Sequence, residues 1–136
     1  MTVTIQTINW HEAMPVRHRV LWPHKPLSHC EVEGDKQAQH YGAFVDDALV
    51  GVASVYLDGR QARLRKFAIL PQYQGQGIGS MMIEHMLASL AHSPVDCFWC
   101  DARESAVSFY RRFGMHTEGE RFYKCDVPYF KMKLAL

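Results

Sequence analysis

Three groups of residues in this sequence have types and spacings suited to chemistry. The first is the run Gln74-Gly75-Gln76-Gly77-Ile78-Gly79-Ser80, with glycines at alternate positions. It falls where a strand-like segment ending at Pro71 gives way to a helix-like one. Such a turn points several unpaired backbone N–H groups at one spot, and the helix dipole adds positive potential there. An anion, most naturally a pyrophosphate, is stabilised at such a spot without a lysine. Glycine matters because a side chain would keep the ligand oxygens away from the backbone. A P-loop requires G-x-x-x-x-G-K-[ST], whereas Ser80 follows Gly79 directly. A dinucleotide fingerprint requires G-x-G-x-x-G after a first strand, whereas this G-x-G-x-G follows a fourth. The structural alternative is a sharp turn with close helix–strand packing.

The second group centres on Tyr110. A phenol with a pKa near 10 is protonated at neutral pH and can donate to a leaving group as that group gains charge. Its helix also carries Phe109 and Phe113, so a core aromatic is the competing reading. The third group is the four cysteines Cys30, Cys97, Cys100 and Cys125. Cys97 and Cys100 form a C-x-x-C, but it lies in a strand-like run, where residues three apart face opposite sides. No second pair stands at zinc spacing, so no metal is expected and reduced thiols are.

The elements that must position these groups follow from periodicity. Val3 to Ile8 reads as a strand. Asn9 then caps a helix from about Trp10 to Leu21, interrupted or bent near Pro15. A loop with a short helical turn follows to Lys36. Strands are expected over 39–46, 49–57 and 61–70, with turns at Asp46-Asp47-Ala48 and Asp58-Gly59. Ile78, Met81, Met82, Leu87 and Leu90 then recur at helical spacing between Gly77 and Ala91. A strand over 95–101, a helix over 104–113 ended by Gly114, and strands over 115–123 and 129–136 complete the chain. The order β-α-β-β-β-α-β-α-β-β is a mixed α/β domain in which an antiparallel meander precedes a βαβ crossover.

Bulk properties bound the rest. The 136 residues fit one domain, 1–136. A net charge of +1 gives no field favouring nucleic acid or an acidic membrane, so neither partner is expected. No apolar run is long enough to span a bilayer. The N-terminus lacks the charged start and apolar run of a signal peptide, so a cytoplasmic location is expected. The apolar last strand, if it formed an exposed edge, would invite pairing, and a homodimer is expected on that ground.

Around the glycine-rich run the pattern Q/R-x-x-G-x-G/A is met by Gln74, Gly77 and Gly79. Upstream stands Lys66-Phe67-Ala68-Ile69-Leu70-Pro71, and downstream Ala106-Val107-Ser108-Phe109-Tyr110-Arg111-Arg112-Phe113-Gly114-Met115. On these three motifs in this order, the chain resembles the GCN5-related N-acetyltransferase (GNAT) superfamily. Its closing Val127-Pro128-Tyr129-Phe130-Lys131-Met132 is similar to the I-P-H-x-x-M ending of small bacterial members, with tyrosine in place of histidine.

The resemblance implies the acyl-CoA N-acyltransferase fold: a mostly antiparallel central sheet with flanking helices and a splayed parallel strand pair. It implies an N-acetyltransferase, that is, an acyltransferase with acetyl-CoA as cosubstrate. The pantetheine arm would slot between the fourth and fifth strands and pair with the backbone at Phe67, Ala68 and Ile69. Backbone N–H groups from Gln74, Gly75, Gln76, Gly77, Ile78, Gly79 and Ser80 would carry the pyrophosphate. Tyr110 would be the general acid, and the acceptor a primary amine of a small molecule or peptide. Where many relatives have an asparagine seven residues before the tyrosine, this chain has Arg103, which either meets a phosphate or faces solvent. The fourth strand lacks the glutamate some relatives use as a base, leaving His40, His116, Asp101 and Glu118 as substitutes. Trp22, His24, His29, Tyr123 and Tyr129 are the expected acceptor lining. The alternative function is a non-catalytic acyl-CoA-binding sensor or interaction domain.

Overall fold

A computed structural model describes residues 2–136. By contacts the chain divides into two compact units, residues 1–56 with 65–93, and residues 57–64 with 94–136. The strands run in the order β1-β2-β3-β4-β5-β7-β6 in a seven-stranded sheet.

In the first unit β1 (Val3–Ile8) pairs antiparallel with β2 (Gln39–Val45), and β2 with β3 (Ala48–Asp58). The β2–β3 turn uses Asp46 and Asp47 at φ 48° and 69°, the two left-handed positions that match the right-handed twist of a hairpin. The later hairpin turn is Gly59-Arg60, one residue beyond the expected Asp58-Gly59, because β3 keeps Asp58.

Helix α1 (Trp10–Leu21) covers one face of β2–β3. Ala13 and Val16 pack on Val52 and Ala68, with Ile8, Val20, Leu21, Leu49 and Leu70 around them. Its start is a capping box: Glu12 N–H donates to Asn9 Oδ1 at 3.0 Å, and Asn9 N–H donates to Glu12 Oε1 at 3.2 Å. Pro15 lies within the helix, which continues through it to Leu21. Asn9→Ala is expected to lower unfolding free energy by about 1 kcal/mol, measured by urea denaturation.

Helix α2 (Ile78–Leu90) covers the opposite face with Met82, Ile83 and Met86, all fully buried. Gly51 makes the fit possible, since a Cβ there would stand 2.6 Å from Ile69 Cδ1 and 3.3 Å from Met82 Sδ.

The second unit is built on β5 (Cys97–Arg103). Residues Gln61 to Leu64 of β4 (Gln61–Ile69) pair with it in parallel, and β7 (Val127–Ala135) pairs antiparallel on its other side. The strand begins two residues later than expected because the N–H groups of Asp96 and Cys97 both turn to Arg60 C=O. It runs on to Arg103 because β7 pairs with it as far as Tyr129. The single helix expected over 104–113 is a 3₁₀ turn, Glu104–Ala106, followed by a short α3, Val107–Arg111.

Strand β7 is flanked on both sides, by β5 and by β6 (His116–Lys124). The C-terminal strand is therefore not an edge, and the ground for expecting a dimer through it falls. The sheet's edges are β1 and β6. No helix among the described residues is long and apolar enough to cross a membrane.

Candidate functional site

The glycine-rich run forms the entry to α2, as its composition required. Gly75 and Gly77 have φ of 73° and 83°, left-handed values that L side chains rarely adopt. Nothing lies within 4 Å of where a Cβ would stand at either, so their absent side chains leave open space. Gly77 is the N-cap of α2, and no side chain caps that end. The loop is braced from inside instead. Gln74 Nε2 donates to Ile69 C=O at 2.9 Å, and Gln76 Nε2 donates to Gln72 C=O at 3.2 Å. Both glutamine side chains thus hold the loop's own backbone, leaving the helix N-terminus with the dipole and N–H groups that suit an anion. Ile78 is buried and anchors the first turn, while Gly79 and Ser80 are half-buried.

Upstream, Ala68 is buried in the α1 core, and Phe67 and Ile69 are half-buried. Lys66, directly before them, has φ 54°, a left-handed residue inside β4. A non-glycine residue there is strained by of order 1–3 kcal/mol and redirects the amide that follows. The parallel pairing of β4 with β5 ends at Leu64↔Cys100, so β4 carries Phe67, Ala68 and Ile69 beyond its last pair with β5.

In the second unit, Tyr110 is buried at 7% exposure on α3. Burial, then the Cys100 side chain, pushes the phenol well above its ordinary value. Burial likewise pushes the Cys100 thiol up to about 12. Both are neutral acids at physiological pH. Cys97 and Cys100 do face opposite sides of β5, one half-buried and the other buried, and all four cysteines are free. No cluster with metal-ligand spacing occurs among the described residues.

Arg103 ends β5 and, with Glu104, Ser105, Val127 and Pro128, lines an open cleft of about 380 Å³. Arg121 forms an ion pair with Glu104 beside it.

The four substitutes for a base fare differently. Asp101 is paired with Arg63 and Lys124, both at 2.9 Å, and Glu118 with Lys133 at 3.2 Å. His116 is exposed at the start of β6. His40 is buried with both ring nitrogens engaged, Nδ1 2.6 Å from Ser54 Oγ and Nε2 2.7 Å from Asp35 C=O. A ring held this way has no lone pair to offer a substrate. Of the expected acceptor lining, Trp22 and His29 meet edge to face at 5.1 Å, and His24 is exposed. Tyr129 is buried against Phe122, whereas its hairpin neighbour Tyr123 stands on the other face, 62% exposed.

The polar centre of the first unit was not anticipated. Arg17 of α1 is wholly buried, and Asp35 is 5% exposed. The guanidinium meets both Asp35 oxygens at 3.0 Å and also donates to Cys30 C=O, Ser54 Oγ and Tyr56 Oη. Tyr56 O–H donates to Asp35 Oδ1, and Val32 N–H donates to Oδ2 at 2.8 Å. Burial alone would raise the Asp35 carboxyl, but the hydrogen bonds from Arg17, Tyr56 and Val32 outweigh it and hold the group below its ordinary value. Burial and then Asp35 push Tyr56 up to about 12.

Comparisons with known proteins agree with this geometry. A family model described as an acetyltransferase (GNAT) domain matches residues 22–136. The uncharacterised N-acetyltransferase YitI of Bacillus subtilis is 32% identical over 133 residues, covering 91% of this chain and 87% of its own. Among solved structures, the ribosomal-protein-S18-alanine N-acetyltransferase of Escherichia coli superposes with a TM-score of 0.82 at 19% identity, over 98% of this chain and 94% of that one. A GNAT acetyltransferase of Elizabethkingia anophelis with acetyl-CoA bound superposes with a TM-score of 0.75 at 14% identity, over 98% of both chains. The chain belongs to the GNAT acetyltransferase family. It is an acetyl-CoA-dependent N-acetyltransferase, so of the two functions raised by the sequence the enzyme is the one its relatives support.

Proposed function

We propose that the enzyme transfers the acetyl group of acetyl-CoA directly to a primary amine of a small molecule or peptide, with Tyr110 as the general acid. The observation that carries the reading is the pair of left-handed glycines, Gly75 and Gly77, opening space at the uncapped start of α2. That is what a pyrophosphate needs: N–H donors, a favourable dipole and no Cβ in the way. In this reading residues 1–136 act as one catalytic domain, and Gln74 to Ser80 carry the phosphates. Phe67, Ala68 and Ile69 supply backbone groups to the pantetheine arm. An N–H in that stretch, turned by the left-handed Lys66, polarises the thioester carbonyl. The Escherichia coli relative named above acts on an alanine of a ribosomal protein, which supports a peptide amine as one acceptor class.

The chemistry then asks for a proton at the departing sulfur. A phenol that stays protonated well above neutral pH supplies it without competing for protons beforehand. The test is a thermal-shift titration with acetyl-CoA, coenzyme A, ATP and NAD on wild type and Gly77→Glu. Ligand at 100 times its dissociation constant stabilises the native state by about 2.7 kcal/mol. Wild type is expected to respond to the two CoA species alone. The variant, which places a strained and negatively charged side chain at φ 83°, is expected to fold but not respond. A well-folded wild type indifferent to both CoA species would sink the cofactor assignment.

A further inference from the structure

We infer that the half-exposed face of the second unit's sheet is a docking surface for an acidic, extended segment of a protein partner. Along β5 the even-numbered Phe98, Cys100 and Ala102 are buried, whereas the odd-numbered Trp99 and Asp101 are only half-buried. Strand register carries the same face sideways. Trp99 pairs with Arg63 of β4 and with Lys133 of β7, Asp101 pairs with Lys131 of β7, and Lys131 pairs with Glu118 of β6. All of these residues lie in the second unit. A tryptophan thus stands on a partly open face among charges.

Those charges do not cancel. Arg63 Cζ lies 4.5 Å from the Trp99 ring centroid, and Lys131 Nζ lies 4.6 Å from it. The ring attracts cations through its quadrupole, so it holds together two that would otherwise repel. Arg63 and Lys124 both bond the same oxygen of Asp101, each at 2.9 Å. Glu118 stands opposite Lys131 in the ladder but pairs with Lys133 at 3.2 Å, leaving Lys131 over the ring. Four cations therefore share two carboxylates here, in a chain whose whole net charge is +1.

The occupant follows from this layout. Lys131 and Lys133 are two residues apart on one strand, so their Cα atoms stand roughly 6.6–6.8 Å apart on the same face. Carboxylates at alternate positions of an extended peptide have that same spacing. Glu118 is 52% exposed, and an ion pair so exposed is weak enough to give way to an incoming carboxylate. Tryptophan and arginine are also the side chains that most often dominate contacts between proteins. A continuous phosphate backbone fits less well, because Asp101 and Glu118 interrupt the cations and would face phosphates. A second copy of the same face would bring like charges together.

The test uses the full chain and a labelled peptide alternating glutamate and serine, followed by fluorescence anisotropy. A lysine–serine peptide and a single-stranded oligothymidine of the same length serve as comparisons. The acidic peptide is expected to bind, and its affinity to fall as added salt screens the exposed charges. Lys131→Glu together with Lys133→Glu is expected to weaken it by about tenfold and to let the lysine peptide bind instead. Trp99→Ala should weaken the acidic peptide as well, and Trp99→Phe, which keeps a ring, should weaken it less. Thermal midpoints check that these variants fold. Amide shifts on titrating wild type, which need no variant, should cluster on β5, β7 and the Arg63 end of β4. Failure of the acidic peptide to bind, binding that survives the charge reversal, or shifts confined to other strands would each overturn the inference. Tighter binding of the oligothymidine would make the face a nucleic-acid surface, and self-association lost in the double variant would make it a contact between copies. Either result also overturns it.

Discussion

Asp35→Ala is expected to lower the unfolding free energy by about 3–5 kcal/mol, read from the urea midpoint at neutral pH, because it strands a charge that has no route to water. Arg17 is 0% exposed, and Asp35 supplies two of its acceptors. The double replacement Arg17→Met with Asp35→Leu should recover much of the loss, since removing both charges removes the desolvation cost as well.

The pH dependence of the same cluster has two limbs. Asp35 is held below its unfolded value, so its contribution is complete above about pH 4 and is lost as pH falls through the lower folded value. Tyr56 is raised to about 12, so its contribution is complete below about pH 10 and is lost between there and 12. Urea midpoints for wild type and Tyr56→Phe should converge as the alkaline limb is climbed.

Tyr110→Phe is expected to lower kcat by about 10²–10⁴-fold, the usual worth of a positioned acid, with little change in KM for acetyl-CoA. The substitution removes one hydroxyl and keeps the ring, so the folding cost should be no more than about 1 kcal/mol. A thermal midpoint near wild type is the control. The raised phenol also has a sign to check. Because burial keeps Tyr110 protonated well above its ordinary range, ionisation of this group should not depress kcat between neutral pH and about pH 10. A loss in that interval that disappears in Tyr110→Phe would contradict the assignment.

What was legible in the sequence divides along physical lines. Gly75 and Gly77 announced the loop because alternating glycines at a strand-to-helix junction let a ligand approach the backbone, and the structure adds that both are left-handed. The hairpin at Asp46-Asp47 and the cap at Asn9 were legible because each is decided within four or five residues. Boundaries set by distant partners were not. The start of β5 depends on Arg60 C=O, and its end depends on the register with β7. The apolar last strand looked like an edge because sequence gives no strand order, and β6 covers it.

The buried network was the largest omission. Arg17 on an amphipathic helix reads as a solvated cation by type, and its oxygen partners lie 13 to 39 residues away. One signal was present: Arg17 follows Ala13 by four residues and so falls on the face that buries Ala13 and Val16. His40 was weighed as a base because its ring type permits it. Only the contacts to Ser54 and Asp35 show both nitrogens already committed.

The guanidinium of Arg17 ties α1 to β3 and to the segment between α1 and β2, at sequence separations of 13, 18, 37 and 39. None of these bonds forms until the loops between the partners have closed, and the cost of each closure grows only slowly with its length. A partly assembled cluster would leave a charge or a carboxylate buried alone, so intermediates with some of the bonds carry most of the cost and little of the gain. The segment from α1 to Tyr56 is thereby made to assemble all at once rather than hairpin by hairpin. Its slowest-exchanging amides, including that of Val32, which donates to Asp35 in an otherwise irregular stretch, are expected to share one opening free energy in native-state hydrogen exchange.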